Sequence, residues 1–519
     1  MKEFVLSNQE ARQVDRFAIE NLGVSGRELM RKAGGFISLK AKKILKDVPN
    51  SRVDIFCGIG NNGGDGFVAA GDLFDWGANV ICWLLGDGEK IKGDAAYYYR
   101  QCLEKGIPIR KIVTEEDISG LDELAETELI IDAIFGTGFK GDILDITSHI
   151  IQKICESNQP VLSVDIPSGV NGDTGQVGNC AVNANWTVTM GFLKRGLLFY
   201  PGKKHAGEVF VVDLNYPKKS FEILSNETFL ISKNQVKNIL PLVPEDTYKH
   251  RQGKALIIAG SPGMTGAATL AGMAALRGGA GLVTVAVPES LNAIMEVKLT
   301  EAMTIPVLES GDHTFTGDSI DSLKVRIEWS DVVAFGPGVS AHSEVVDFGK
   351  KLLTVTKKPL IVDADGLRIF KDNLNQIREI DDLILTPHHG EFSMMTGIPV
   401  QEITEGAIDI ARQFATKYSC TLVLKGAPTV IASRNGAVAI NPTGNAALAT
   451  GGTGDVLTGL ITAFRAQGIP SFDASIVAVS IHGAAGDLGK IRYGIRSFIA
   501  GDLFEFIPKV LKKLERLPS

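Results

Sequence analysis

Two successive series of short, β-rich apolar runs constrain what this chain can fold into more than any other feature it carries. RVDIFCG, ANVICWLLG, LIIDAIFG, PVLSVDIPSG, WTVTMG and GEVFVVDL occupy the first half, and KALIIAG, LVTVAV, DVVAFGPG, KPLIVDADG, LILTPHHGE and TLVLKGAPTVIA the second. Helix-like or glycine-rich segments separate most of them, which implies mainly parallel sheets with helices on both faces. The expected fold class is α/β, with two doubly wound, three-layer domains. A chain of 519 residues supports that division, because single cores stop growing at roughly 250–300 residues. The two series carry different motifs, so neither a duplication nor a solenoid is expected.

Ser7 stands three residues before Glu10, and Ser25 three before Glu28. That is the spacing of a capping box, and it predicts two opening helices. From Asn215 to about Lys233 the apolar rhythm breaks into a charged segment without a period, where the linker is expected. The domain boundaries that follow are 1–217 and 228–519. Thr265 to Val287 is apolar enough for a membrane-span reading. A buried helix, a glycine turn and a buried strand explain the same residues, and Arg277 favours that reading.

The net charge of −7 argues against a nucleic-acid binder and for small-molecule ligands. Met1 to Gly23 carries acids and lacks the apolar core of a signal peptide, so export is not expected. Cys57, Cys82, Cys102, Cys155, Cys180 and Cys420 form no CxxC pair and read as thiols of a reducing cytoplasm.

Candidate chemistry gathers at the ends of the runs, where ligands of doubly wound sheets collect. RVDIFCG leads into GIGNNGGDGF, where Gly58, Gly60, Gly63, Gly64 and Gly66 surround Asn61, Asn62 and Asp65. A loop of this kind can turn its amides inward as an anion nest before a helix start, although a tight strand-to-helix turn needs glycines too. Asp132 is followed by GTGFKGD, Gly136 to Asp142, and Asp165 by IPSG with Ser168. Either aspartate alone could merely cap a turn. Together beside the glycines they form a site fit for proton transfer or for a hard cation.

In the second half, GGTGD places Gly451, Gly452, Gly454 and Asp455 at a helix start. There, free amides can face a transferring phosphate and the carboxylate can take a proton from an attacking hydroxyl. Lys425 to Thr429 (KGAPT) follow a strand as a candidate nucleotide-phosphate loop, though the lysine could equally be solvated. TPHHGE offers His388 and Glu391, and FGPGV offers Gly336 and Gly338 as bare backbone.

Taken together, GIGNNGGDG, DAIFGTGFKGD, VDIPSG, GPG, TPHHGE, KGAPT and GGTGD resemble the bifunctional NAD(P)H-hydrate repair enzymes over nearly the whole chain. The resemblance implies a Rossmann-like NAD(P)HX epimerase domain followed by a ribokinase-like NAD(P)HX dehydratase domain dependent on ADP or ATP. It implies that Asn61, Asn62, Gly63, Gly64 and Asp65, with Gly136, Thr137, Gly138, Phe139, Lys140, Gly141 and Asp142, hold the hydrated dinucleotide. Asp165 contacts it as acid or base, and Asn62, Asp132 and Ser168 bind potassium. In the second half it implies that Ala267, Gly338, His388 and Asp455 hold the hydrate, with Asp455 catalytic. Lys425, Gly426, Ala427, Pro428, Thr429 and Gly454 hold the adenine nucleotide, which brings Mg2+. A homo-oligomer, a tetramer by the same resemblance, is expected. Arg31, His389 and Arg195 depart from the family pattern. Two other readings share parts of these motifs: a ribokinase-like kinase of a vitamin precursor or sugar, and a first half that senses a dinucleotide without catalysis.

Overall fold

The computed structural model describes residues 3–139, 141–143, 145–224 and 227–515, apart from the side chains of Ser119 and Asp145. The chain separates into two compact units, Glu3–Ser225 and Asn226–Ser519.

The first unit opens with a short strand, Glu3–Leu6, that pairs in parallel with Leu193–Lys194, and continues with α1 (Asn8–Leu22) and α2 (Gly26–Leu45), capped by Ser7 and Ser25 as their spacing predicts. Then follow β1 (Arg52–Cys57), α3 (Asn61–Asp75), β2 (Asn79–Leu85), α4 (Gly93–Glu104), β3 (Ile109–Ile112), β4 (Leu129–Ala133), α5 (Asp145–Glu156), β5 (Val161–Val164), β6 (Trp186–Met190) and β7 (Glu208–Val212). The strands form one sheet in the order β3-β2-β1-β4-β5-β6-β7, parallel throughout. Alternate residues of β1 feed opposite cores. Val53, Ile55 and Cys57 pack with α2 and α3, and Phe56 packs with Ile150, Ile151 and Ile154 of α5. Strand order reverses between β1 and β4, so the loops after these two strands part and open a crevice.

The glycine-rich stretch expected as a loop is largely helix, since α3 begins at Asn61 with Gly60 as its cap. Its glycines serve close packing. A Cβ on Gly63 would lie 1.9 Å from the Gly58 carbonyl oxygen, and one on Gly66 would lie 2.8 Å from Ala133 Cβ. Gly64 meets Met30 of α2, and Gly34 of α2 meets Val68 of α3, so the two helices approach nearly backbone to backbone. What remains for a ligand is the start of α3 and its free amides.

The second unit contains β8 (Thr228–Leu230), β9 (Lys254–Ile258), α6 (Thr265–Arg277), β10 (Leu282–Pro288), β11 (Met303–Val307), β12 (Val332–Phe335), β13 (Leu360–Val362), β14 (Leu383–Leu385), α7 (His389–Thr396), β15 (Thr421–Leu424), β16 (Val430–Ala432), β17 (Val438–Ile440), α8 (Thr453–Ala466), α9 (Ser471–Tyr493) and α10 (Leu503–Leu514). Its strands run β11-β10-β9-β12-β13-β14-β15-β16-β17-β8. They are parallel from β11 to β15, antiparallel across β15-β16-β17, and parallel again at β8. The segment expected as a linker therefore gives part of itself to the fold, for Thr228–Leu230 pairs with Val438–Ile440 and Phe229 enters the core.

Thr265 to Val287 is the buried helix, turn and strand expected of it. Small residues let α6 lie against α8, where a Cβ on Gly459 would stand 2.2 Å from the Ala271 carbonyl oxygen. No helix among the described residues is long and apolar enough to cross a membrane.

Gly63→Ala should destabilise the protein by about 1–3 kcal/mol through overpacking, whereas Gly60→Ala, whose Cβ would meet nothing within 4 Å, should cost much less. Denaturant unfolding of the two variants checks this, and equal midpoints would refute the packing role assigned to Gly63.

Candidate active sites

In the first unit the loops after β1 and β4 form two walls of a cleft of about 1050 Å3. Gly58 to Asn62 and Asp65 line one wall, Ile134 to Phe139 with Asp142 and Ile143 another, and Asp165, Lys194 and Tyr216 the far side. Arg12 of α1 reaches over to donate to the Thr137 carbonyl at 2.5 Å. Gly63 and Gly64, expected at the ligand, are buried in the packing just described. Gly141 has a φ of +88° and open space around its Cα, and Lys140 lies outside the described residues.

Asp165 follows β5 in left-handed backbone at φ +65°, a conformation that turns its side chain into the cleft at the sheet's carboxyl edge. Its Oδ1 accepts hydrogen bonds from Lys194 Nζ at 2.5 Å and from Thr189 Oγ1 and Met190 N at 3.1 Å each. Lys194 also donates to the Met190 carbonyl at 2.7 Å and is only 3% exposed. Asp65, on the first turns of α3, faces the same ground. Burial, then the charges of Asp165 and Asp15, hold its carboxyl well above the usual range, with Lys194 opposing. Burial likewise raises Asp15, which accepts a hydrogen bond from the Tyr216 hydroxyl. The cleft thus sets a carboxyl held upward by burial beside one paired with a lysine.

Asp132 lies within β4, fully buried, and receives four hydrogen bonds: Ser168 Oγ at 2.6 Å, Ser168 N and Ser163 Oγ at 2.9 Å, and Ile134 N at 3.3 Å. Burial still pushes its carboxyl upward. Asn62 comes from α3 to the Gly136 loop, where a Cβ on Gly136 would lie 3.0 Å from its Oδ1. Its buried Nδ2 has no partner. Asn62, Asp132 and Ser168 carry oxygens of the kind a hard cation takes, those of Asp132 and Ser168 being hydrogen-bonded to each other, while the orphaned Nδ2 is a donor and calls for an acceptor on a ligand.

The second site assembles around Lys425, at the end of β15. Its Nζ donates to Asp363 Oδ1 at 2.8 Å and lies 3.7 Å from Glu391 Oε2. A Cβ on Gly454 would be 3.5 Å from it, which places the GGTGD turn alongside. The lysine is thus caged by carboxylates rather than solvated. Burial would lower its pKa, but Asp363, Glu391 and Asp455 together hold it above the ordinary value. Asp363 is only 1% exposed, and Thr458 Oγ1 donates to its Oδ2 at 2.6 Å. Burial works to raise that carboxyl, and Lys425 with the Thr458 and Thr386 hydroxyls outweighs it and keeps it low.

Asp455 stands in the first turn of α8, whose cap Gly452 has φ +93°. Burial first and the charge of Asp363 second push its carboxyl up to about 7, with Glu391 adding and Lys425 opposing. Gly451 is exposed and a Cβ there would meet nothing within 4 Å, and the first N–H groups of α8 have no acceptor within the helix, so an anion can approach them. His388 caps α7, its Nδ1 accepting from Gly390 N at 3.0 Å and Glu391 N at 3.1 Å, and its ring is exposed. His389 sits behind it, bonded to Thr404 Oγ1 at 3.0 Å and close against Gly426. Gly338, at φ +62°, packs on Ala267, where a Cβ would meet Ala267 Cβ at 2.8 Å. The residues singled out in the second half thus form two linked groups, Ala267 with Gly338, and His388, Gly426, Lys425, Gly454 and Asp455 around the lysine.

Lys194 and Asp363 escaped the sequence reading. Asp363 carried the same signal as Asp132 and Asp165, an aspartate closing the apolar run LIV, whereas Lys194 has none, since only the folded chain brings it to Asp165. The departures at Arg31 and Arg195 are ion-paired, Arg31 with Asp72 at 2.8 Å and Arg195 with Glu10 at 3.1 Å.

Residues 26–196 match the family model described as YjeF-related protein N-terminus, and residues 255–509 the model described as NAD(P)H-hydrate dehydratase. The bifunctional NAD(P)H-hydrate repair enzyme of Moorella thermoacetica is 38% identical over 99% of this chain and 97% of its own. That of Escherichia coli is 32% identical over 97% and 93%. The solved ADP/ATP-dependent NAD(P)H-hydrate dehydratase of Bacillus subtilis, co-crystallised with ATP and Mg2+, is 32% identical and covers 55% of this chain and 98% of its own, with a TM-score of 0.48.

The position of Asp455 has a stability consequence. A carboxyl raised from 3.8 to about 7 stabilises the fold fully below its unfolded pKa, and that contribution is lost as pH rises through 7. The ionised form then costs on the order of 2–4 kcal/mol. Asp455→Asn keeps the neutral form throughout. It should melt higher than the parent at about pH 8 and at the same temperature near about pH 4; a pH-independent difference would contradict the assignment.

Proposed function

This chain belongs to the family of bifunctional NAD(P)H-hydrate repair enzymes, and from that premise we propose that residues 1–217 epimerise hydrated NADH and NADPH while residues 228–519 dehydrate the S form. The co-substrate is ADP or ATP with Mg2+, and the products are NAD(P)H, phosphate and AMP or ADP. The observation that carries the reading is Asp455, a carboxyl titrating near 7 beside open helix-start amides.

Dehydration requires hydroxide, a poor leaving group, to depart from the reduced nicotinamide ring. Asp455 takes the proton of that hydroxyl as its oxygen attacks the terminal phosphorus of the nucleotide, while the amides of the GGTGD turn stabilise the transferring phosphoryl group. The ring nitrogen then supplies the electron pair that expels phosphate, and loss of a ring proton restores the double bond. Lys425, Gly426, Ala427, Pro428, Thr429 and Gly454 border the nucleotide. Ala267, Gly338 and His388 border the hydrate.

For the first domain, the hydrate's hydroxyl sits on the carbon bonded to the ring nitrogen, so inversion there calls for a proton delivered and a proton removed. Asp165 is the acid/base residue, oriented by Lys194, and Asp65, whose carboxyl burial holds upward, is its neighbour in the same cleft. Asn61, Asn62 and Asp65, together with Gly136 to Asp142, border the dinucleotide. Asn62, Asp132 and Ser168 fit potassium, whose charge would steady the Gly136 loop against the ligand. We place the protein in the cytoplasm as a homo-oligomer, in keeping with six free cysteines.

The experiment follows absorbance of the reduced nicotinamide in purified protein given mixed hydrate epimers, Mg2+ and ADP or ATP. Asp455→Asn should lower nucleotide-dependent recovery by about 10²–10⁴-fold and leave epimer exchange intact. Asp165→Asn should do the reverse, with exchange in the parent protein faster in potassium than in choline. Release of a phosphorylated substrate instead of free phosphate would point to a kinase, and tight hydrate binding with unaltered exchange would make the first domain a sensor.

A further inference from the structure

Four charged side chains meet at the GGTGD turn, and only one is a cation. Asp363 follows β13, Lys425 ends β15, Glu391 lies on α7 and Asp455 on α8. Lys425 could in principle pair with any of the three carboxylates. A lysine tied directly to Asp455 would hold that carboxylate in its charged form and weaken it as a base.

The geometry settles which partner Lys425 takes. Its shortest ion pair is to Asp363 Oδ1, at 2.8 Å, against 3.7 Å to Glu391. Asp363 is itself pinned. Its second oxygen accepts from Thr458 Oγ1 at 2.6 Å, and Thr458 is three residues beyond Asp455 on the same helix. One aspartate therefore fixes both the lysine and the helix that carries the base. At 1% exposure Asp363 has no surface to offer a ligand, so its action on the reaction must pass through its neighbours.

We propose that Asp363 is a positioning residue of the dehydratase site: by drawing Lys425 toward the sheet it leaves the Asp455 carboxylate free to accept the hydroxyl proton. The inference rests on the reading of Asp455 as the base. Among the described residues no lysine or arginine other than Lys425 pairs with these carboxylates, and His388 lies 3.4 Å from Glu391. Glu391 Oε2 accepts from His388 N at 2.7 Å within the α7 cap that the two residues share. His389 is shifted downward by burial. His482 of α9 donates to the Thr453 carbonyl at 2.9 Å, and burial pushes its pKa down to about 4, so it is neutral. The balance at Asp455 agrees with this arrangement, for after burial the charge of Asp363 is the larger upward influence and Lys425 the opposing one. Removing Asp363 takes away the first and releases the second toward Asp455, so both changes act in the same direction.

The test uses the full-length protein with 13C-labelled aspartate carboxyls, read by NMR titration with Asp455→Asn to assign the resonance, alongside the pH profile of kcat for dehydration. In Asp363→Asn the Asp455 midpoint should fall by about one pH unit or more, with the acid limb of kcat following it and the plateau lowered. In Lys425→Gln the midpoint should rise. Loss of activity in Asp363→Asn with the midpoint unmoved would make Asp363 merely structural and overturn the proposal. Should Asp363→Asn fail to fold, an unmoved midpoint in Lys425→Gln overturns it equally. A parent protein whose Asp455 titrates near neutrality and responds to both variants, yet restores no NAD(P)H, would instead defeat the functional reading while leaving the electrostatic coupling in place.

Discussion

A buried lysine–aspartate pair at the carboxyl edge of a parallel sheet is the interaction around which each candidate site is built. Lys194 meets Asp165 at 2.5 Å in the first unit, and Lys425 meets Asp363 at 2.8 Å in the second. Pairs so well screened from water gain little net stability, because the attraction between the charges is offset by the cost of desolvating them. What they do provide is a fixed charge at a fixed place. Each aspartate also takes hydrogen bonds from neighbours, Thr189 and Met190 N in one case and Thr458 in the other. Moving any one partner therefore leaves a buried charge unmet, and the alternative arrangements are penalised.

These pairs also show where sequence reading stops. The apolar runs, the capping serines and the aspartates closing the runs LIID and VLSVD declare themselves locally, because each depends on residues a few positions apart. The α/β class, the two opening helices and the helix–turn–strand at Thr265 to Val287 followed from such local signals. Lys194 is 29 residues from Asp165, and Lys425 is 62 from Asp363. Only the strand order brings them together, and no spacing rule reports strand order. Short strands such as Ile109–Ile112 and Thr228–Leu230 were lost for a related reason, since charged or irregular flanks hide a run of three or four residues whose place is set by its neighbours in the sheet.

The glycines of GIGNNGGDG teach a different lesson. Composition pointed to a loop that folds its amides around an anion, yet Asn61 to Gly66 is the opening of a helix. Gly63 is required because the Gly58 backbone fills the space of a methyl group, Gly66 because the Ala133 and Cys57 side chains do, and Gly64 because Met30 does. Close packing and ligand approach select the same residue type, so glycine density cannot separate them. It is Asn62, with its buried amide unpartnered, that distinguishes a site from a tight turn.

Both clusters contain more carboxylates than cations. Asp15, Asp65 and Asp165 share Lys194 and a tyrosine hydroxyl; Asp363, Glu391 and Asp455 share Lys425. In a half-buried site three like charges facing one cation cannot all remain ionised at ordinary cost, and the member least able to reach the lysine is the one driven to hold a proton. In the first unit the carboxyls pushed upward are Asp15 and Asp65, and in the second Asp455. The arrangement costs stability, which is why neither site could arise from packing preferences alone. In the second unit it leaves a carboxyl able to exchange its proton near neutral pH.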